Sequence, residues 1–213
     1  MKFIKTILSA YLLSYTLPLL AHDASLQFEH LTSEQGLSQN DVNCILQDQQ
    51  GFMWFGTHDG LNKYDGYNIK VYQNDPENKH SISSNLIFSL AEDQCGNIWI
   101  GTTGGGLNKF DSNTEQFTRF NHNPSDDSSL SSDLVLTTYH DSQGRIWVGT
   151  QNGLNLYHQG EGDHEGSFIR LYPHPVNKTI NSANRITSIF EDKCGALWVG
   201  TQYGLSKLTE NGR

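Results

Sequence analysis

Apolar and polar residues alternate along most of this chain in short runs, and Gly, Asp, Asn and Ser punctuate them. A period of two bounded by turn formers predicts half-buried β-strands. The first such run is Leu26-Gln27-Phe28-Glu29-His30-Leu31. After a polar loop, strands A, B, C and D are predicted over 42–47, 52–57, 61–64 and 69–72, with Asp48-Gln49-Gln50-Gly51, Asp59-Gly60 and Asp65-Gly66 turning the chain between them. The same order recurs over 86–91, 98–102, 107–110 and 116–120, and again over 134–139, 146–150, 154–157 and 167–172. A fourth unit offers A, B and C over 185–190, 197–201 and 205–208, without a D. Residues 26–31 stand in the register of a D strand, because 28–31 leads into a Leu-Ser-rich loop as 117–120 and 168–171 do. They are expected to close the sheet of the last unit.

The units are copies of one phrase. Trp54, Trp99, Trp147 and Trp198 are all the tryptophans present, each with Asp six residues before it (Asp48, Asp93, Asp141, Asp192), Gly three before it (Gly51, Gly96, Gly144, Gly195) and Gly-Thr shortly after it. Their spacings of 45, 48 and 51 residues suit propeller blades and exceed leucine-rich, ankyrin or tetratricopeptide periods. The predicted fold is an all-β β-propeller of four-stranded antiparallel blades, with units over about 42–72, 86–120, 134–172 and 185–208. Four blades either close into a ring or form a partial arc of a larger one. Within the phrase, Trp is expected to wedge between blades with its indole N–H on a backbone carbonyl. Gly permits positive φ in the A–B hairpin, and Asp bonds the turn. Residues recurring once per unit read as framework, since a catalytic residue does not normally recur.

Composition agrees with strands and turns: 36% hydrophobic, 11% aromatic, 20 glycines. A net charge of −9 disfavours nucleic acid and anionic membrane as partners. Residues 1–21 carry Lys2 and Lys5, an apolar run and Ala21, the plan of a secretory signal peptide with cleavage after Ala21 and export to the periplasm. Three cysteines cannot all pair within one exported chain. Cys95 and Cys194 hold one register position in units two and four, where Gln50 and Gln143 stand in the others, and read as turn residues. Cys44 takes the place of Ser89, Thr137 and Ser188, which predicts a small packed side chain.

Candidate recognition residues come from a second register and from what varies around it. Asn40, Asn85, Asp133 and Asn184 each lie fourteen residues before a tryptophan, where the D–A loop enters strand A. In a propeller the D–A and B–C loops share one face. Turn capping is the first role expected of these four; the alternative is that, with the variable B–C tips His58, Asp59, Gln151, Asn152, Gln202 and Tyr203, they define a candidate ligand face. No catalytic, cofactor or metal site is assigned. The histidines are scattered without metal-ligand spacing, and Gly101-Thr102-Thr103-Gly104-Gly105-Gly106 lacks the Gly-Lys-Ser/Thr ending of a phosphate loop.

The phrase Asp-x-x-Gly-x-Ile/Leu-Trp-Val-Gly-Thr-x-x-Gly-Leu, at 141–157 and 192–208, resembles the two-component regulator propeller repeat, and 28–38 is similar to the start of the periplasmic sensor region in that family. The resemblance covers nearly all of the chain after the leader. It implies a seven-bladed propeller followed by a β-sandwich, a membrane helix and a cytoplasmic histidine kinase or diguanylate cyclase, with oligosaccharides sensed by some members. This sequence departs from that plan, with four repeats and no sandwich, membrane helix or output domain. The expectation is a non-catalytic periplasmic ligand-sensing module of a two-component or cyclic-dinucleotide system, a truncated sensor. Its expected partners are an oligosaccharide or other small periplasmic ligand and a second copy or sensor subunit, with no cofactor. The alternatives are a propeller hydrolase or lyase acting on polysaccharide, and a structural module in which two chains complete one ring.

Overall fold

A computed structural model describes residues 26–160, 166–173 and 181–208. The leader, 1–21, lies outside the described residues. The second of two compact units, Leu31–Arg213, holds every strand. Blade 1 contains β1 (Val42–Gln47), β2 (Met53–Thr57), β3 (Gly60–Tyr64) and β4 (Ile69–Tyr72). Blade 2 contains β5 (Ile87–Glu92), β6 (Ile98–Thr102), β7 (Leu107–Asp111) and β8 (Gln116–Phe120). Blade 3 contains β9 (Val135–His140), β10 (Ile146–Thr150), β11 (Gly153–His158) and β12 (Ser167–Leu171). Blade 4 contains β13 (Ile186–Glu191), β14 (Leu197–Thr201) and β15 (Gly204–Lys207). Each sheet is an antiparallel meander in chain order, as predicted from the alternation and the turn residues.

The blades follow one another through their first strands: β1 packs on β5, β5 on β9 and β9 on β13, and no comparable packing joins β13 to β1 among the described residues. Of the two arrangements expected, this is the arc. The core is accordingly three layers, each shared by two successive blades. Trp54, Leu61, Ile87 and Phe110 fill the first. Trp99, Leu107, Val135 and Phe168 fill the second, and Trp147, Leu154, Ile186 and Val199 the third. Trp54, Trp99 and Trp147 thus face the blade after their own. These three are at most 2% exposed, whereas Trp198, in the last described blade, is only partly buried.

The closing strand expected at 26–31 is not formed. Residues 26–31 adopt no strand, Leu26 and Phe28 are exposed, and the sheet of blade 4 has three strands. Alternation gives a segment the right faces for a sheet, but it holds as a strand only when an edge accepts its backbone.

Candidate functional site

The repeated phrase is a turn clamp. Oδ2 of Asp48, Asp93, Asp141 and Asp192 accepts the indole N–H of Trp54, Trp99, Trp147 and Trp198 at 2.8, 2.9, 2.7 and 2.8 Å. Oδ1 of the same group accepts two turn amides, those of Gln50 and Phe52 in blade 1 and of Gln143 and Arg145 in blade 3. This corrects the expectation of a backbone carbonyl as the indole's acceptor. The carboxylate is already held in the adjoining turn, which leaves its second oxygen for the indole. The turn glycines Gly51, Gly96, Gly144 and Gly195 have φ of 93°, 79°, 80° and 80°, a region open mainly to Gly. Burial pushes the carboxyls of Asp93 and Asp141 up, but the hydrogen bonds they accept outweigh it and hold both below the usual value. For Asp192 the Trp198 indole is the main cause of a lowered pKa.

A second repeated clamp was not anticipated from the sequence. Asn62, Asn108 and Asn155, in the third strand of blades 1 to 3, are fully buried. Their Oδ1 atoms accept the amides of Ser38, Ser83 and Ser131 at 2.8, 2.9 and 2.9 Å, and their Nδ2 atoms donate back to the same serines' hydroxyls. The signal was present as Gly-Leu-Asn at 60–62, 106–108 and 153–155.

The residues of the candidate face fall into two groups. Oδ1 of Asn40, Asn85 and Asp133 accepts a backbone N–H of the preceding loop, from Ser33 (2.8 Å), Asn74 (2.7 Å) and His122 (2.7 Å). Asn184 is buried at the end of a 3-10 turn, Asn181–Asn184. These side chains fix the D–A loops. The tips differ: His58, Gln151, Asn152, Gln202 and Tyr203 are all exposed. Asp59 lies between the groups, accepting from Asn85 Nδ2 at 3.0 Å, while Gly60 N–H donates to the Asn85 carbonyl at 2.8 Å. The amides of Gly104 and Gly106 likewise donate to the Asp133 carbonyl, so the B–C and D–A loops share one face.

On that face Gln151 and Asn152 join His122, Ser131, Ser132 and Leu134 around a concavity of about 360 Å³. His58 stacks on Phe88 at 6.4 Å and lies 3.7 Å from Asp41. A further hollow of about 310 Å³ opens beside the A–B turns of blades 2 and 3, lined among others by Trp99, Lys109, Arg145 and Tyr157. Its walls include Asp93 and Trp99, both members of the turn clamp. No group of three or more His, Cys, Asp or Glu able to hold a metal occurs among the described residues. All three cysteines are free. No helix among the described residues is long and apolar enough to cross a membrane.

The family model for the two-component regulator propeller matches four times, at 36–59, 81–104, 129–152 and 182–203. The chain carries four two-component regulator propeller repeats. Each match runs from the D–A loop to the B–C tip of one blade, so it contains the turn clamp, while Asn62, Asn108 and Asn155 of the second clamp lie just beyond it. Histidine kinase P4 of Formosa agariphila is 44% identical over 78 residues, which are 36% of this chain and 6% of that protein. Among solved structures, the extracellular domains of two proteins described as hybrid two-component systems of B. thetaiotaomicron match at 27% and 26% identity, both with a TM-score of 0.65. Each match covers 86% of this chain, and it covers 30% of one structure and 23% of the other. This propeller chain therefore spans under a third of the length of either. Virginiamycin B lyase from Staphylococcus aureus matches at 17% identity and a TM-score of 0.53, over 81% of this chain and 57% of that one, a likeness of fold alone.

Proposed function

We propose that this chain is a non-catalytic, periplasmic ligand-sensing module of a bacterial two-component or cyclic-dinucleotide signalling system, recognising its ligand through the face shared by the D–A and B–C loops. The observation that carries this reading is the division of labour between residues. Those that repeat are consumed by internal clamps, while the tips that differ between blades stand exposed beside a concavity of about 360 Å³. Variation within a fixed frame suits recognition. The exposed chemistry is amide, imidazole and phenol, which matches a hydroxyl-rich ligand: amides donate and accept at once, and flat rings stack on apolar sugar faces. The likeness to extracellular domains of two-component systems supports a signalling role on the outer side of the membrane.

The test is isothermal calorimetry and product analysis on a panel of oligosaccharides, using the wild type and a Gln151→Ala/Asn152→Ala double variant. Binding without product, weakened about tenfold by the double variant, is expected, since losing contacts worth ~1.4 kcal/mol costs a factor of ten. Release of cleaved or unsaturated sugars would overturn the non-catalytic reading. Binding unchanged by the double variant, and equally unchanged by His58→Ala and Tyr203→Ala, would overturn the assignment of the face.

A further inference from the structure

The D–A loops that lead into blades 2 and 3 are tied by the same pair of bonds from two different residues. Asn74 and His122 each lie two residues beyond a fourth strand, β4 or β8. Each donates its backbone N–H to the side chain eleven positions on, Asn85 or Asp133, at 2.7 Å. Each side chain also reaches the carbonyl eight positions on. Asn74 Nδ2 donates to the Ile82 carbonyl at 2.8 Å, and His122 Nδ1 stands 2.6 Å from the Leu130 carbonyl. Ile82 and Leu130 are both 0% exposed, so the two bonds hold equivalent buried points of the two loops.

A carbonyl oxygen has no hydrogen to give, so His122 Nδ1 carries the one in this bond, and the other nitrogen of a neutral imidazole is then an acceptor. Nε2 of His122 makes no hydrogen bond among the described residues and is not one of their buried atoms left without a partner. His122 borders the concavity of about 360 Å³ together with Gln151 and Asn152. The remaining polar walls are nearly spent: the Ser131 hydroxyl is shared with Thr150 and Asn155, and Ser132 accepts the Leu134 amide at 3.2 Å. Among the described residues no Lys or Arg lines the hollow, and the carboxylate that takes the His122 amide, Asp133, stands beside it.

We propose that His122 is a specificity-determining residue of the loop face, its Nε2 accepting a hydroxyl hydrogen from a bound sugar, so that the concavity takes neutral sugars in preference to acidic ones. The inference rests on the recognition face proposed above and names what that face selects. The loop itself does not require a histidine, since Asn74 ties the blade 2 loop in the same way. What histidine adds is an acceptor at the far edge of its ring, whereas the oxygen of an asparagine sits on the same carbon as its nitrogen. A hydroxyl can donate to that acceptor and still accept from the Gln151 and Asn152 amides. A carboxylate can only accept, and it would meet a lone pair at His122 and a like charge at Asp133 with no cation to offset them.

Proton–nitrogen correlation spectra of the imidazoles in the full chain, at about pH 8 and so above the ordinary histidine pKa of ~6.5, test the tautomer first. A hydrogen on Nδ1 of His122 with Nε2 bare is expected, and a hydrogen on Nε2 would overturn the proposal. Titration follows with the neutral members of the oligosaccharide panel and with glucose and glucuronate as a matched neutral and acidic pair, to about 50 mM, which reaches millimolar dissociation constants. A neutral sugar is expected to move the His122 Nε2 resonance together with the Gln151 and Asn152 amides, and glucuronate to move them less than glucose. Shifts at the tips without His122, or tighter binding of glucuronate than glucose, would overturn the role of His122 and leave the face standing. No shift anywhere on the face would overturn both readings. His122→Asn keeps the bond to the Leu130 carbonyl, so its melting temperature is expected to stay at the wild-type value while affinity for the neutral sugar falls about three- to tenfold, the worth of one hydrogen bond. Unchanged affinity in that variant, where Gln151→Ala/Asn152→Ala still weakens binding, would overturn the inference alone.

Discussion

Replacing Asp141 with Ala removes the acceptor for four N–H groups of its own hairpin, one of them the Arg145 guanidinium Nε–H that pairs with its Oδ2. The Trp147 indole loses a 2.7 Å bond, and the Gln143 and Arg145 amides lose bonds of 3.0 and 2.8 Å. Trp147 is 2% exposed and Asp141 3%, so water does not reach the indole readily. One buried donor left unsatisfied costs about 1–3 kcal/mol, and each turn amide, which water can recover in part, adds about 0.5–1 kcal/mol. The total is about 2–5 kcal/mol, and for a chain of this length each kcal/mol lowers the melting temperature by roughly 2–4 °C, giving a fall of about 4–20 °C. Asp192→Ala removes an indole bond and two amide bonds but no arginine partner, beside a Trp198 that is only partly buried, and is expected to cost less. Calorimetric melting of both variants under identical conditions is the assay. A melting temperature for Asp141→Ala within about 1 °C of wild type, or a larger loss for Asp192→Ala, would refute the view that the clamp's worth comes from its burial.

Three other outcomes follow from the same frame. The hydrogen bonds they accept hold Asp93, Asp141 and Asp192 below the ordinary carboxyl pKa of ~3.9, so their stabilisation is present above that pH and drains away as pH falls through the lowered values; melting temperature should drop steeply below about pH 4, and a flat profile down to about pH 2.5 would contradict it. Asn155→Ala strands the Ser131 amide and the Val148 carbonyl in the interior and should cost about 2–4 kcal/mol in denaturant titration. Burial pushes the Cys44 thiol up to about 12, while Cys95 and Cys194 are exposed; mass spectrometry after native alkylation should find two labels, with a third only after unfolding.

The sequence carries the strand order, the blade boundaries and the register of the framework because each depends on local alternation and turn residues. β6, β10 and β14 begin and end where the pattern around Trp99, Trp147 and Trp198 places them. What it hides is long-range partnership. Asn62 reads as a polar position facing solvent, and only the fold brings Ser38 to it from 24 residues upstream. The acceptor for the Trp indole was likewise in plain view, six residues away, but alternation says nothing about which carboxylate oxygen is free. Residues 26–31 have the alternation of a D strand and adopt no strand, because alternation alone does not bring a segment to an edge. The candidate face is legible only as a set of positions: Asn40, Asn85 and Asp133 look like the tips in polarity, yet their side chains are held by loop amides.

The separation of framework from recognition is tested most directly by hydrogen exchange of the chain with and without an oligosaccharide that it binds. Protection confined to the B–C tips around 58–59, 151–152 and 202–203, with the A–B turns at 48–51, 93–96, 141–144 and 192–195 unchanged, is the predicted result. Protection centred on the A–B turns, with the tips unaffected, would contradict it.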